Sequence, residues 1–104
     1  MSPYDIFIIH MSWGTSGKAR PVLAFMVNNK TVNIYRITSQ YENKSAAIKS
    51  QYFAINDWAL AGLKKASYID TGILIELPAT AFKGKPPIGR LSDSDKRRLF
   101  KFLS

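Results

Sequence analysis

Three short apolar runs, each closed by turn-forming residues, constrain this chain to a β-rich fold. The first, Tyr4 to Met11, carries apolar residues at both parities (Ile6 and Ile8; Phe7, Ile9 and Met11), as a strand covered on both faces would. The second, Val22 to Val27, follows Pro21, whose locked φ and missing donor suit the first residue of a strand or an edge position. Between them, Ser12-Trp13-Gly14-Thr15-Ser16-Gly17-Lys18-Ala19-Arg20 reads as a flexible polar loop. It has two glycines and three hydroxyl residues, and two cations, Lys18 and Arg20, stand at its end. After the turn Asn28-Asn29-Lys30, the third run, Thr31 to Thr38, alternates, with Val32 and Ile34 on one face and Tyr35 and Ile37 on the other.

The rest of the chain divides similarly. Ser39 to Ser45 is a polar loop, and Ala46 to Ile55 reads as a further strand with Tyr52, Phe53 and Ile55 as its apolar part. Asn56 to Leu63 predicts a short helix, capped by Asn56 or Asp57 and ended by Gly62. Tyr68 to Leu77 holds one or two strands, and Pro78 to Pro87 is a proline-punctuated loop or short turn. Ser92-Asp93-Ser94-Asp95 supplies a cap and two acids at the start of a last helix, whose apolar stripe is Leu99, Phe100, Phe102 and Leu103. Five to seven strands and a terminal helix give a mainly β fold with some α, a small barrel with a helix packed on it. There is no repeat and no linker, so residues 1–104 are expected to form one domain.

Charge narrows the partners. Fifteen Lys and Arg against seven Asp and Glu give a formal charge of +8, a bias toward nucleic acid, an anionic membrane surface or an acidic protein. The absence of cysteine excludes disulfides, thiolate metal sites and a cysteine nucleophile, and a single histidine excludes a His-rich metal site. Met1 to His10 lacks the basic start of a signal peptide, and no run reaches the length of a membrane span. A cytoplasmic protein without a cofactor is the expectation.

A basic chain of this kind that acts catalytically on a polyanion has metal-free RNA cleavage within reach, because the RNA 2′-hydroxyl supplies the nucleophile. The protein then provides a base, an acid and a cation for the phosphorane charge. Arg20 is the best cation, since its forked donors match two phosphate oxygens. Thr38 and Ser39 end the third strand with hydroxyls that can hold a phosphate. His10 alone has an unperturbed pKa near neutrality, although a lone histidine in an apolar strand also suits a structural role. Asp70 and Glu76 are the carboxylates in apolar surroundings, where desolvation would favour the protonated form. Tyr4, Tyr35, Tyr41, Tyr52, Tyr68, Trp13 and Trp58 could stack on bases or simply pack, and Trp13 is the best stacking candidate because it adjoins the cationic loop. Lys96-Arg97-Arg98 reads as the solvated face of the last helix.

Taken together, these segments resemble the MazF/PemK family of bacterial toxin ribonucleases. The resemblance is carried by Tyr4-Asp5-Ile6-Phe7-Ile8, by Gly17-Lys18-Ala19-Arg20-Pro21-Val22-Leu23 and by Ile37-Thr38-Ser39. Lys65-Ala66-Ser67-Tyr68-Ile69 and Pro87-Ile88-Gly89-Arg90-Leu91-Ser92 extend it over nearly the whole length in order. It implies an SH3-like barrel of the MazF/CcdB type, a homodimer, and metal-independent cleavage of single-stranded RNA, inhibited by an acidic antitoxin. By the same resemblance Arg20 would stabilise transition-state charge and Thr38 would contact the scissile phosphate. His10 and Asp70 are the proton-transfer candidates, and Trp13, Thr15, Ser16, Gly17, Lys18, Ser39 and Tyr68 are the substrate-binding set. The chain departs from the family pattern at three places. Thr15, Ser16 and Gly17 stand where better-known members have a loop acid, and Asp70 and Gly72 stand where some relatives have an arginine and an aspartate. His10 stands where relatives often have an aspartate. The alternative function is a barrel that binds RNA or an acidic protein without cleaving.

Overall fold

The computed structural model describes residues 1–13 and 16–104, with the side chains at 11–13 and 16 outside the description. Strands β1 (Asp5–Trp13), β2 (Ser16–Val27) and β3 (Thr31–Thr38) form an antiparallel meander. A single helical turn, α1 (Ala46–Lys49), precedes β4 (Tyr52–Ala54) and the long β5 (Tyr68–Pro78). A 3₁₀ turn over Ala79–Phe82, a short β6 (Gly89–Arg90) and the C-terminal helix α2 (Asp93–Leu103) complete the order. The sheet runs β4-β5-β3-β2-β1-β6 with every pairing antiparallel, a six-stranded half-barrel with a terminal helix.

Both parities of the strands are buried over much of their length because the sheet has apolar cover on each face. Ile6, Leu23, Tyr35, Ile37, Phe53 and Ile69 pack with Leu91 and Leu99 on one side. Phe7, Ile9, Val22, Ala24, Val32 and Ile34 pack with Phe82 on the other. Ile8 departs from the expected burial, being 40% exposed. Two register shifts bend the sheet, one between Ala24 and Met26 and one between Ile34 and Arg36. Such irregularities strengthen local twist and let a strand turn a corner.

Four sequence expectations are corrected. Residues 16–20 are not a loop but the start of β2, with Lys18 opposite Met11 and Arg20 opposite Ile9. Ladder hydrogen bonds to β1 satisfy that backbone whatever its side chains, so glycine and serine do not prevent a strand there. Pro21 consequently lies inside β2, at the point where pairing with β3 ends at Val22. Residues 46–49 are helical rather than extended, because the Ser45 hydroxyl accepts from Ile48 N–H and caps a turn opened by two alanines. Residues 56–63 form turns rather than a helix. Their bonds mix spacings, Ala61 N–H to Asp57 O, Gly62 N–H to Ala59 O and Leu63 N–H to Trp58 O, and Gly62 (φ 88°) ends the segment as expected.

The fourth correction concerns α2. Ser92 caps it by accepting from Asp95 N–H, as expected, but of the predicted stripe only Leu99 is buried, while Phe100 is 73% exposed. The face that meets the sheet carries Asp95 and Leu99, one turn apart. Asp95 is fully buried and accepts from Asn56 N–H, Asp57 N–H and Arg98 Nη1, tying the helix to the 56–63 turns.

Candidate nucleic-acid interface

The ends of β2 and β3 build the site. Val22 pairs with Arg36, and the same register carried two residues further brings Arg20 level with Thr38. The β2–β3 pairing ends at Val22 and Arg36, so Arg20, paired on its other side with Ile9, and Thr38, paired with Tyr68, flank the gap where the two strands part. Both line a cleft of about 550 Å³, walled by Lys18, Lys64 and Lys65 and by the hydroxyls of Ser39 and Ser67. No carboxylate lines it among the described residues. Three lysines and an arginine around an apolar floor of Ile8, Pro21 and Ile37 attract anions at short range, where screening is weakest.

Arg20 and Thr38 also line a second cleft, about 260 Å³, with Arg36, Lys44, Tyr52 and Asp70. The two residues thus stand at the boundary between two cationic hollows. Gln40 N–H donates to the Thr38 hydroxyl at 3.0 Å, so that oxygen is held as an acceptor and its proton remains to be donated to a ligand. Asp70 lies across from both Arg36 and Tyr52 in the sheet. Its Oδ2 accepts from Arg36 Nη2 at 3.2 Å and its Oδ1 from Gly72 N–H at 2.9 Å. Burial, then the Asp70 charge, pushes the Tyr52 phenol above its ordinary value against an opposing pull from Arg36. It is a neutral donor at physiological pH.

A third hollow, about 380 Å³, adjoins the first through Ser39 and Gln40 and is lined by Tyr41, Glu42, Asn43, Ala66 and Tyr68. Tyr41 stacks on Tyr68 with ring centres 4.4 Å apart and planes 13° apart, and Lys49 Nζ lies 4.9 Å over the Tyr41 ring. Tyr68 is directly opposite Thr38.

The fold thus brings together Arg20, Lys18, Thr38, Ser39, Asp70 and Tyr68. It does not bring His10, which is exposed opposite Ala19 and lines none of these hollows. Gly17 is exposed in β2, opposite Ser12, outside the hollows. Thr15 and the side chains of Trp13 and Ser16 lie outside the described residues. Glu76 is exposed opposite Asn33 rather than set in apolar surroundings, because its parity on β5 faces outward. Tyr35 is core, and burial raises its phenol above the usual value. Tyr4 and Trp58 pack against the same cluster. Arg98 is not a purely solvated cation, since it bonds Asp95 and the Ala54 carbonyl.

Sequence reasoning missed Arg36, Lys44, Lys64 and Lys65 as wall residues. Lys64-Lys65 after Gly62 was visible as a charge pair, but only the packing of the 56–63 turns against Ile88 puts it beside Arg20. Among the described residues no three His, Cys, Asp or Glu side chains converge as metal ligands, and no helix is long and apolar enough to cross a membrane. No protein-family model matches the chain, and no curated protein matches its sequence.

Proposed function

We propose that the chain is the toxin component of a type II toxin–antitoxin pair: a metal-independent endoribonuclease that cuts single-stranded RNA in the cytoplasm. In this reading the half-barrel is SH3-like, of the MazF/PemK kind, works as a homodimer and is silenced by an acidic antitoxin. The observation that supports it is that Arg20 and Thr38 line both of two cation-walled clefts.

The chemistry follows from those groups. The 2′-oxygen of the substrate attacks the adjacent phosphorus, and the bond from phosphorus to the 5′-oxygen breaks. The products are a 2′,3′-cyclic phosphate and a 5′-hydroxyl, the leaving 5′-oxygen taking its proton from solvent water. Arg20 presents two parallel N–H donors to the phosphoryl oxygens, whose negative charge grows as the phosphorane forms. Thr38 donates its proton to one of the same oxygens, while Gln40 N–H keeps its oxygen in place. Lys18, Lys64 and Lys65 hold the flanking phosphates. Of the two proton-transfer candidates, Asp70 shares a cleft with Arg20 and Thr38, and it is assigned the 2′-hydroxyl proton.

Purified, antitoxin-free protein incubated with a panel of RNAs should give fragments ending in a cyclic phosphate. Arg20→Ala should lower cleavage about 10²–10³-fold, as loss of one charge-stabilising donor does, with an unchanged unfolding midpoint. Cleavage by Arg20→Ala at the wild-type rate would refute the assignment.

One observation favours the second reading, a binding module that cleaves nothing. Both Asp70 oxygens are engaged, by Arg36 and by Gly72 N–H, which leaves the carboxylate poorly placed to take a proton. That reading predicts salt-sensitive RNA binding without cyclic-phosphate products.

A further inference from the structure

The three hollows differ in charge in a way the nuclease reading does not use. Those that share Arg20 and Thr38 are walled by lysine and arginine, whereas no cation lines the hollow of Tyr41, Glu42, Asn43 and Tyr68 among the described residues. A polyanion threaded past Arg20 puts its phosphates in the first two. The third, which shares Ser39 and Gln40 with the larger cleft, is suited to an uncharged, planar, hydrogen-bonding group. We infer that this hollow is a nucleobase pocket for the nucleotide next to the bound phosphate, and that Glu42 makes it selective for guanine. The inference rests on the proposal that the clefts hold RNA.

The walls are built for a ring. Tyr41 stacks on Tyr68, and Tyr68 is fixed in β5 opposite Thr38, so the aromatic wall and the phosphate-binding hydroxyl share one scaffold. Single-stranded RNA is read in this way, with unstacked bases laid against aromatic side chains and hydrogen-bonded along their edges. The residues that do the reading sit on a tight turn closed by Lys44 N–H to Tyr41 O at 3.0 Å, with Glu42 and Asn43 at its two corners. Lys44, the next residue, lines the Arg20 cleft instead. One turn therefore directs a cation toward the phosphates and a carboxylate and an amide toward the base.

Guanine is the base that fits a carboxylate. An ionised Glu42 only accepts, and its two oxygens need two parallel donors. The Watson–Crick edge of guanine offers N1–H and the exocyclic N2–H side by side. Adenine and cytosine offer one amino group beside an acceptor nitrogen, and uracil one N–H between two carbonyls. Each of these would set a lone pair against the carboxylate. The amides of Gln40 and Asn43 supply donors for guanine O6.

The test is binding of 5′-labelled pentanucleotides in which every 2′-hydroxyl is methylated, with four uridines around one variable central base. Methylation removes the nucleophile, so fluorescence anisotropy reads binding alone. The wild type should bind the central guanine about tenfold more tightly than the other three bases, the discrimination one good bidentate pair gives. Glu42→Gln, at an exposed turn position, should bring all four within about twofold, because its amide sets a donor against N1–H or N2–H. Lys44→Ala should weaken all four by a common factor, as loss of a phosphate contact does. Equal binding of the four bases by the wild type, or discrimination that survives Glu42→Gln, would overturn the guanine pocket and leave the nuclease reading to its cyclic-phosphate assay. Failure of every pentanucleotide to bind at low salt would overturn both.

Discussion

Removing the carboxylate of Asp95 should destabilise the protein by loosening α2 from the 56–63 turns. The side chain is fully buried and accepts from Asp57 N–H at 2.8 Å, Asn56 N–H at 3.2 Å and Arg98 Nη1 at 2.6 Å. In Asp95→Ala two backbone N–H groups lose their acceptor, at about 1–3 kcal/mol for each that water cannot reach. Loss of a negative charge from the first helical turn adds about 0.3–1 kcal/mol. Arg98 is 38% exposed, so its guanidinium can turn to water and contributes little to the loss. Residue Asn56 is also exposed, which puts its N–H at the low end of the range. The sum is about 3 kcal/mol, a large part of the roughly 5–15 kcal/mol that holds a domain together. For a chain of this length that corresponds to a fall in Tm of about 12–24 °C. Urea and thermal unfolding followed by circular dichroism would measure it, with Asp93→Ala as the comparison. Asp93 is 85% exposed and pairs with Lys96 at 3.4 Å, so its loss removes only the same first-turn charge and a weak surface pair, under about 1 kcal/mol together. A drop for Asp95→Ala of under about 1 kcal/mol would show that this carboxylate does not fasten the helix to the 56–63 turns.

Three further outcomes are expected. Lys64→Ala and Lys65→Ala should each reduce the slope of log affinity for single-stranded RNA against log salt by about 0.7, and titrations at several salt concentrations would detect it. Gly62→Ala should cost about 2 kcal/mol, read from the urea midpoint. Its φ of 88° disfavours a side chain, and a Cβ there would collide with the Ile88 carbonyl. Because the Tyr52 phenol is raised above 10.0 in the folded chain by burial and Asp70, the unfolded chain gives up that proton first. The stability it contributes is therefore complete below the ordinary tyrosine value and declines as pH rises through the folded value. Tyr52→Phe should flatten the alkaline loss of stability as pH rises above about 10, measured as urea midpoints over rising pH.

Local patterning was enough to establish the β-rich class, the apolar parities of β3, the Ser92 cap and helix at the C-terminus, and Arg20, Thr38 and Ser39 as groups to watch. Each depends on interactions within a few residues: a period of two, a hydroxyl before a helical turn, a cation beside a proline. The rest depended on partners distant in sequence. Residues 16–20 are extended because β1 offers them a ladder, and the 56–63 turns are held against α2 by Asp95, 38 residues beyond Asp57, which accepts from two N–H groups there. Phe100 faces water because Asp95 and Leu99 already fill the contact between α2 and the sheet. At the site, charge and residue type pointed to Arg20, but only register across β2, β3 and β5 sets it with Thr38, Arg36 and Asp70 in one cleft, and leaves His10 outside. Strand pairing joins residues tens of positions apart, and no local pattern encodes which of them will meet.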